Sequence, residues 1–334
     1  MSLLTLNSKP SDPTGETTDF TNEEEAVLHG IPRVSYRPSA LVEKICQEKN
    51  LLTEWHEKVM SAPSSFNDFL SNPGLNRFPN VLCLDRSRVR LSNQYGTGDY
   101  CHASYVDSYD KRNGYVFAQA PFSPATEEIF WRMVIDLRPK IILILGSLQS
   151  ATSPGMKCFW PQQGERTYKN NVTVTLAHVE KGNDSDVLGV VVSDPQREIL
   201  RLPLMLYKSW KDDIITPDIP SFRKRVKAIE SIVPNRNGPT VLVCASGVTR
   251  CGTYAAVDVI LTRIAKEEKV GVQQTIEIML AQRYGCFQFI EHYKAIHEFA
   301  MRHCGLSKMP DSTPTATQTS KSAAEKSDAV RSGT

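Results

Sequence analysis

Hydrophobic residues recur at Leu41, Ile45, Leu52, Trp55 and Val59, and again at Ile129, Met133 and Leu137. Steps of three and four predict helices that turn one face to a core, the second of them capped at Thr126. A different pattern follows. Short runs rich in Val, Ile and Leu, "KIILIL" from 140, "VTVTLAH" from 172, "VLGVVVS" from 187, "REILRLPLML" from 197 and "TVLV" from 240, read as strands. Helical spacing resumes at Phe222, Val226 and Ile229, then across 253–266, 271–283 and 289–303. The order predicts an α/β (α+β) protein whose central strands come first and whose last third is mostly helical.

Both ends depart from these patterns. Residues 1–20 are polar, and residues 305–334 are rich in Ser, Thr and Lys with almost no large apolar residue. They read as disordered tails around one domain over 21–304, which contains no linker and no internal repeat. A net charge of +2, from 39 Lys and Arg against 37 Asp and Glu, gives no global field for nucleic acid or a membrane surface. The basic cluster "FRKRVK" at 222–227 reads as a solvated helix face. No secretory signal and no apolar run of membrane length are found, the best run, 141–145, ending at Gly146. Eight cysteines without a CxxC pair predict reduced thiols and a cytoplasmic setting, so the glycosylation motifs at Asn171 and Asn183 carry no weight. The seven histidines form no metal-like pair, and no metal is expected.

The stretch "TVLVCASGVTRCGTYAAVD" (240–258) concentrates the candidate chemistry. A buried strand ends on Cys244, and Tyr254, Val257, Leu261 and Ile264 share one face of a following helix. Residues 244–250 therefore form a strand-to-helix turn. Such a turn aims backbone N–H groups inward beside the positive end of a helix, which favours a thiolate at Cys244. Arg250 is suited to fork two donors onto phosphate oxygens, and Gly247 to let the backbone approach closely. Taken alone, Cys-x5-Arg leaves a second reading open, in which Cys244 is a small buried hydrophobe and Arg250 a solvated residue at the helix start.

Other segments resemble the protein tyrosine phosphatase family, in family order, from about residue 40 to 303. They are "NRFPNVLCLDRSRVRL" (76–91), "DYCHASYVDSY" (99–109), "YVFAQAPFSPATEEIFWRMV" (115–134), "KCFWP" (157–161) and "QRYGCFQFIEHY" (282–293). The resemblance implies a central mixed twisted sheet flanked by helices. It also implies hydrolysis of phosphotyrosine in protein substrates through a cysteinyl-phosphate intermediate, without metal or organic cofactor. Cys244 matches the attacking thiol, while Arg250 and the loop amides of Ala245, Ser246, Gly247, Val248 and Thr249 match the phosphate cradle. Asp212, in "YKSWKDD", matches the general acid, and Gln288 the residue that positions water. Phe78 matches the ring beside the substrate, and Asn80 the residue that anchors its backbone.

Several positions depart from the family. Val243 replaces a histidine that helps ionise the thiol, so Cys244 is expected to be less ionised. Cys251 replaces a hydroxyl and offers a weaker hydrogen bond. Lys211 replaces the proline of the acid loop, Thr249 a glycine, Asn80 an aspartate and His292 a glutamine. The segment before "KCFWP" lacks the glutamate that braces the loop arginine. The expected activity is therefore a weakened phosphatase, and the alternative is a pseudophosphatase that binds phosphotyrosine or a kinase without turnover.

Overall fold

The computed structural model describes residues 16–18, 34–59, 65–150, 155–210, 218–233 and 237–305. The tail expected over 305–334 lies outside them beyond Gly305, and of 1–20 only Glu16–Thr18 is described.

The expected mixed α/β architecture with a helical C-terminal part is found. Two short strands, β1 (Glu16–Thr18) and β2 (Val34–Tyr36), pair antiparallel. Helices α1 (Pro38–Gln47), α2 (Leu51–Val59) and α3 (Asn67–Ser71) follow. Among the described residues, nine strands then build one sheet. They are β3 (Arg88–Arg90), β4 (Tyr100–Val106), β5 (Tyr115–Gln119), β6 (Ile141–Leu145), β7 (Glu165–Thr167), β8 (Thr173–Glu180), β9 (Ser185–Ser193), β10 (Glu198–Tyr207) and β11 (Thr240–Cys244), in the order β3-β4-β5-β11-β6-β10-β9-β8-β7. The pairs β5–β11, β11–β6 and β6–β10 are parallel, and the flanking pairs antiparallel. Helix α4 (Pro124–Leu137) precedes β6, α5 (Ile219–Ile232) precedes β11, and α6 (Thr249–Glu267), α7 (Val272–Gln282) and α8 (Ile290–His303) close the chain.

Both sheet faces are covered, which explains the unbroken apolar runs of β6 and β11. Ile142, Ile144, Val241 and Val243 pack with Phe130, Trp131, Met133 and Val134 of α4. Ile141, Leu143, Leu145, Leu242 and Cys244 face the opposite layer, built by α6, α7 and α8. Helix α6 is buried at every position from Cys251 to Leu261, so it presents no single core face: it is enclosed on all sides.

Two local expectations change. The hydrophobic spacing from Leu41 to Val59 is broken at residues 48–50 into α1 and α2. The cap of α4 is Ser123, whose Oγ accepts from the Thr126 N–H at 3.3 Å while Thr126 Oγ1 accepts from the Ser123 N–H at 2.9 Å. Thr126 is thus the reciprocal half of a capping box, with Pro124 filling the first turn where its missing N–H costs nothing.

Candidate active site

The C-terminal end of β11 carries Cys244, paired in register with Gln119 of β5. Strand alternation turns Val243 into the α4 layer and Cys244 toward α6. The chain then bends through Ala245, Ser246, Gly247 and Val248 and enters α6 at Thr249, earlier than the expected start after Arg250. Arg250 and Cys251 therefore lie in the first helical turn. Val248 gives no side-chain cap, which leaves backbone N–H groups for the loop.

Gly247 is required for two reasons. Its φ is +69°, and a Cβ there would stand 2.5 Å from the Ala118 carbonyl carbon and the Gln119 nitrogen. The close approach expected of this glycine is thus made to β5 of the same chain. Gly146 makes room for the arginine, since with φ +130° an added Cβ would collide with Arg250 Nη1. That nitrogen donates to the Leu145 carbonyl at 3.4 Å, a contact supplied by the strand end.

Cys244 is 2% exposed. Burial, the largest influence, opposes ionisation. It is outweighed by the Cys251 thiol, the backbone N–H groups of Cys251 and Gly247, and the Arg250 charge, which together bring Cys244 from 9.0 down to about 5. Without a histidine at position 243, the Cys251 thiol, α6's first turn and Arg250 still hold Cys244 well below the ordinary thiol value. The Cys251 thiol points at Cys244 with the two sulfurs 3.4 Å apart. A thiol ionised at neutral pH beside the Arg250 guanidinium and the backbone N–H groups of the loop is equipped to attack an electrophile bearing oxyanions.

Arg283, unremarked in the sequence, braces the loop from behind and is fully buried. Its Nε donates to the Gly247 carbonyl at 3.1 Å, Nη2 to the Ser246 carbonyl at 3.4 Å and Nη1 to Ser104 Oγ at 3.1 Å. Nη2 also meets His102 Nδ1 at 3.0 Å. An arginine only donates, so His102 accepts at Nδ1 and its Nε2–H donates to the Val81 carbonyl at 2.9 Å. Burial first, and Arg283 second, push His102 down to about 3 and keep it neutral. One chain of bonds thereby joins the Cys244 loop to the segment bearing Phe78 and Asn80.

That segment is held from its other side by Gln119, which accepts from the Arg77 N–H at 2.9 Å and donates to the Leu75 carbonyl at 2.6 Å. Phe78 is half-buried and Asn80 exposed. The Arg77 guanidinium lies 5.6 Å from the Phe78 ring centroid, and its Nη1 is buried without a hydrogen-bond partner among the described residues. Burial lowers the Arg77 pKa while Cys244 opposes that shift, so Arg77 is a second cation within electrical reach of the thiolate. Gln288 is exposed in the turn between α7 and α8, where Cys286 and Phe287 pack against Gly252 of α6. Asp212 and Lys211 lie outside the described residues, directly after Trp210, which is fully buried and set edge-on to Tyr207 at 6.3 Å.

Residues 72–302 match the family model for protein-tyrosine phosphatases. The chain belongs to the protein-tyrosine phosphatase family. Among relatives of this family it is 34% identical over 237 residues to a tyrosine-protein phosphatase Lar-like of Caenorhabditis elegans, covering 68% of this chain. It is 31% identical over 247 residues, 72% of this chain, to the receptor-type tyrosine-protein phosphatase F of Bos taurus. Against the tyrosine-protein phosphatase Lar of Drosophila melanogaster it is 29% identical over 248 residues, again 72% of this chain. The chain spans 10%, 13% and 12% of the length of these three relatives. Among the described residues no helix is long and apolar enough to cross a membrane.

Proposed function

We propose that this phosphatase-family domain hydrolyses phosphotyrosine in protein substrates, acting in the cytoplasm without metal or organic cofactor. The observation that carries the reading is the Cys244 thiol, brought to about 5 at the mouth of a strand-to-helix loop beside Arg250. Its sulfur attacks phosphorus in line, the tyrosine oxygen departs, and a cysteinyl phosphate forms. Arg250 and the amides of residues 245–250 hold the phosphoryl oxygens as charge develops on them. Asp212 protonates the departing oxygen and later takes a proton from water held by Gln288; both roles rest on the sequence resemblance. Phe78 flanks the substrate ring, and Asn80 anchors its backbone. The Cys251 thiol steadies the Cys244 thiolate when it leaves phosphorus in the second step.

The test is turnover of para-nitrophenyl phosphate and a phosphotyrosine peptide. Cys244→Ser is expected to abolish phosphate release while retaining peptide binding, and Asp212→Ala to lower kcat far more than KM. A Cys244→Ser protein with unchanged release overturns the assignment. Peptide binding through Arg250 with no release by the parent protein places it instead among phosphotyrosine-binding pseudophosphatases.

A further inference from the structure

Three thiols, Cys244, Cys251 and Cys286, are buried around the start of α6, and all are free. Only one pair among them is in direct sulfur contact: Cys251 donates to Cys244 across 3.4 Å. By the family resemblance Cys251 stands in place of a hydroxyl, and a hydroxyl offers no sulfur chemistry. We propose that hydrogen peroxide converts Cys244 and Cys251 into an intramolecular disulfide, with Cys251 as the resolving thiol of a reversible off-switch. The proposal concerns the same site as the phosphatase reading and rests on it only in taking Cys244 as a reactive thiolate.

The chemistry closes without further reagents. The Cys244 thiolate attacks one peroxide oxygen, the O–O bond breaks, and the departing hydroxide gains a proton to become water. Cys244 is then a sulfenic acid, oxidised by two electrons, and peroxide has been reduced. The Cys251 sulfur next attacks the Cys244 sulfur, the S–OH bond breaks, and the Cys251 thiol proton leaves with hydroxide as a second water. A dithiol reductant reverses the outcome by exchange.

Geometry and charge favour this order of events. Cys251 is held protonated first by burial and then by the neighbouring Cys244 charge. The first oxidation removes that charge, which leaves burial as the remaining influence against ionisation of Cys251, and the second step is favoured by the contact of the two sulfurs. The sulfurs must close from 3.4 Å to about 2.0 Å. Cys251 sits in the first turn of α6, where no side-chain cap pins the backbone. A disulfide here would take the nucleophile and pull on the turn that carries Arg250, so both would be lost to phosphate together. Joining Cys244 to its neighbour also shields it from the sulfinic stage, which reductants do not reverse.

The sequence makes the test direct, because trypsin cuts after Arg250, between the two cysteines. After stoichiometric peroxide, thiol blocking in denaturant and non-reducing digestion of the full chain, peptides 237–250 and 251–263 are expected as one cross-linked species. Dithiothreitol should separate them. In Cys251→Ser the cross-link should vanish, and oxidation of Cys244 should advance to forms that dithiothreitol does not reverse. The proposal is overturned if Cys251 is recovered alkylated while Cys244 is oxidised alone or closed onto its own backbone. It is equally overturned if peptide 237–250 is joined to 284–294 through Cys286. A cross-link in a chain that lacks turnover upholds the redox pair while refuting the phosphatase reading, so the two fail separately.

Discussion

Replacing Gly247 by alanine isolates how tightly the Cys244 loop is pressed onto the sheet. Two penalties act at this position. The first is conformational: at φ +69° a side chain costs about 1 kcal/mol. The second is steric, because the new Cβ would stand 2.5 Å from the Ala118 carbonyl carbon and the Gln119 nitrogen, where ordinary contact begins at 3.4 Å. The loop must therefore lift by about 0.9 Å, the difference between those distances, since β5 is locked between β4 and β11. Overpacking of this kind costs about 1–3 kcal/mol, for a total of about 2–4 kcal/mol. Gly164 supplies the control: its φ is +62°, with nothing within 4 Å of an added Cβ, so Gly164→Ala should cost only about 1 kcal/mol. Urea unfolding of the two variants separates the terms. A displacement near an ångström also withdraws the Gly247 N–H from Cys244, so turnover of para-nitrophenyl phosphate should fall about 100-fold in Gly247→Ala and stay unchanged in Gly164→Ala. Equal stabilities for the two variants, or full turnover by Gly247→Ala, would refute the reasoning.

Further outcomes follow from the charged groups. Alkylation of native Cys244 by iodoacetamide should stay fast at neutral pH and fade as pH drops through about 5, the value to which its surroundings bring it; a midpoint near 9 would show that the loop fails to stabilise the thiolate. The same depression contributes stability that is fully present above about 9, declines as pH falls, and is gone below about 5. Arg283→Met should cost about 3–5 kcal/mol in urea unfolding, because it strands the Ser246 and Gly247 carbonyls and empties a buried site; a loss under 1 kcal/mol would count against the brace. Asp258, a buried residue of α6, accepts from Arg223 of α5 at 2.6 Å and Lys227 of α5 at 3.0 Å as well as from the Tyr115 hydroxyl. Burial is the largest influence and opposes its charge, yet Lys227 and Arg223 hold the carboxyl below its ordinary value. Asp258→Asn should cost about 2–3 kcal/mol at pH 7, the usual loss discounted for the partial exposure of Lys227. That deficit should shrink as pH falls through the lowered carboxyl value, where the parent loses the same charge; a deficit independent of pH would refute it.

The strands β6, β8, β9, β10 and β11 were legible because their apolar runs are long and bounded by turn residues. β4 was not read as a strand, for its buried positions include His102 and Ser104, whose burial makes sense only once Arg283 meets them from nearly two hundred residues away. β7 left no hydrophobic trace, since all three of its residues are exposed. The strand-to-helix turn at Cys244 was readable from local pattern, and so was the value of Arg250. A thiolate at Cys244 was readable too, from the inward N–H groups and the helix start. The help it receives from the Cys251 thiol was not, because the aim of that side chain is set by tertiary packing. Arg77 and Arg283 stood inside recognised motifs without declaring their reach, because a buried cation and a surface cation look alike in a sequence.

The insertion of β11 between β5 and β6 has a consequence for the protein's birth. A ribosome releases β5 and β6 long before it releases the strand that must lie between them. Until then each offers an unpaired edge, a hazard that favours association with other chains or with chaperones. The same delay is protective in another respect. The Cys244 environment requires β11 docked, α6 begun and Arg283 seated behind the loop, so the nascent chain carries an ordinary thiol. Reactivity is thereby withheld until the last large piece of the sheet is in place.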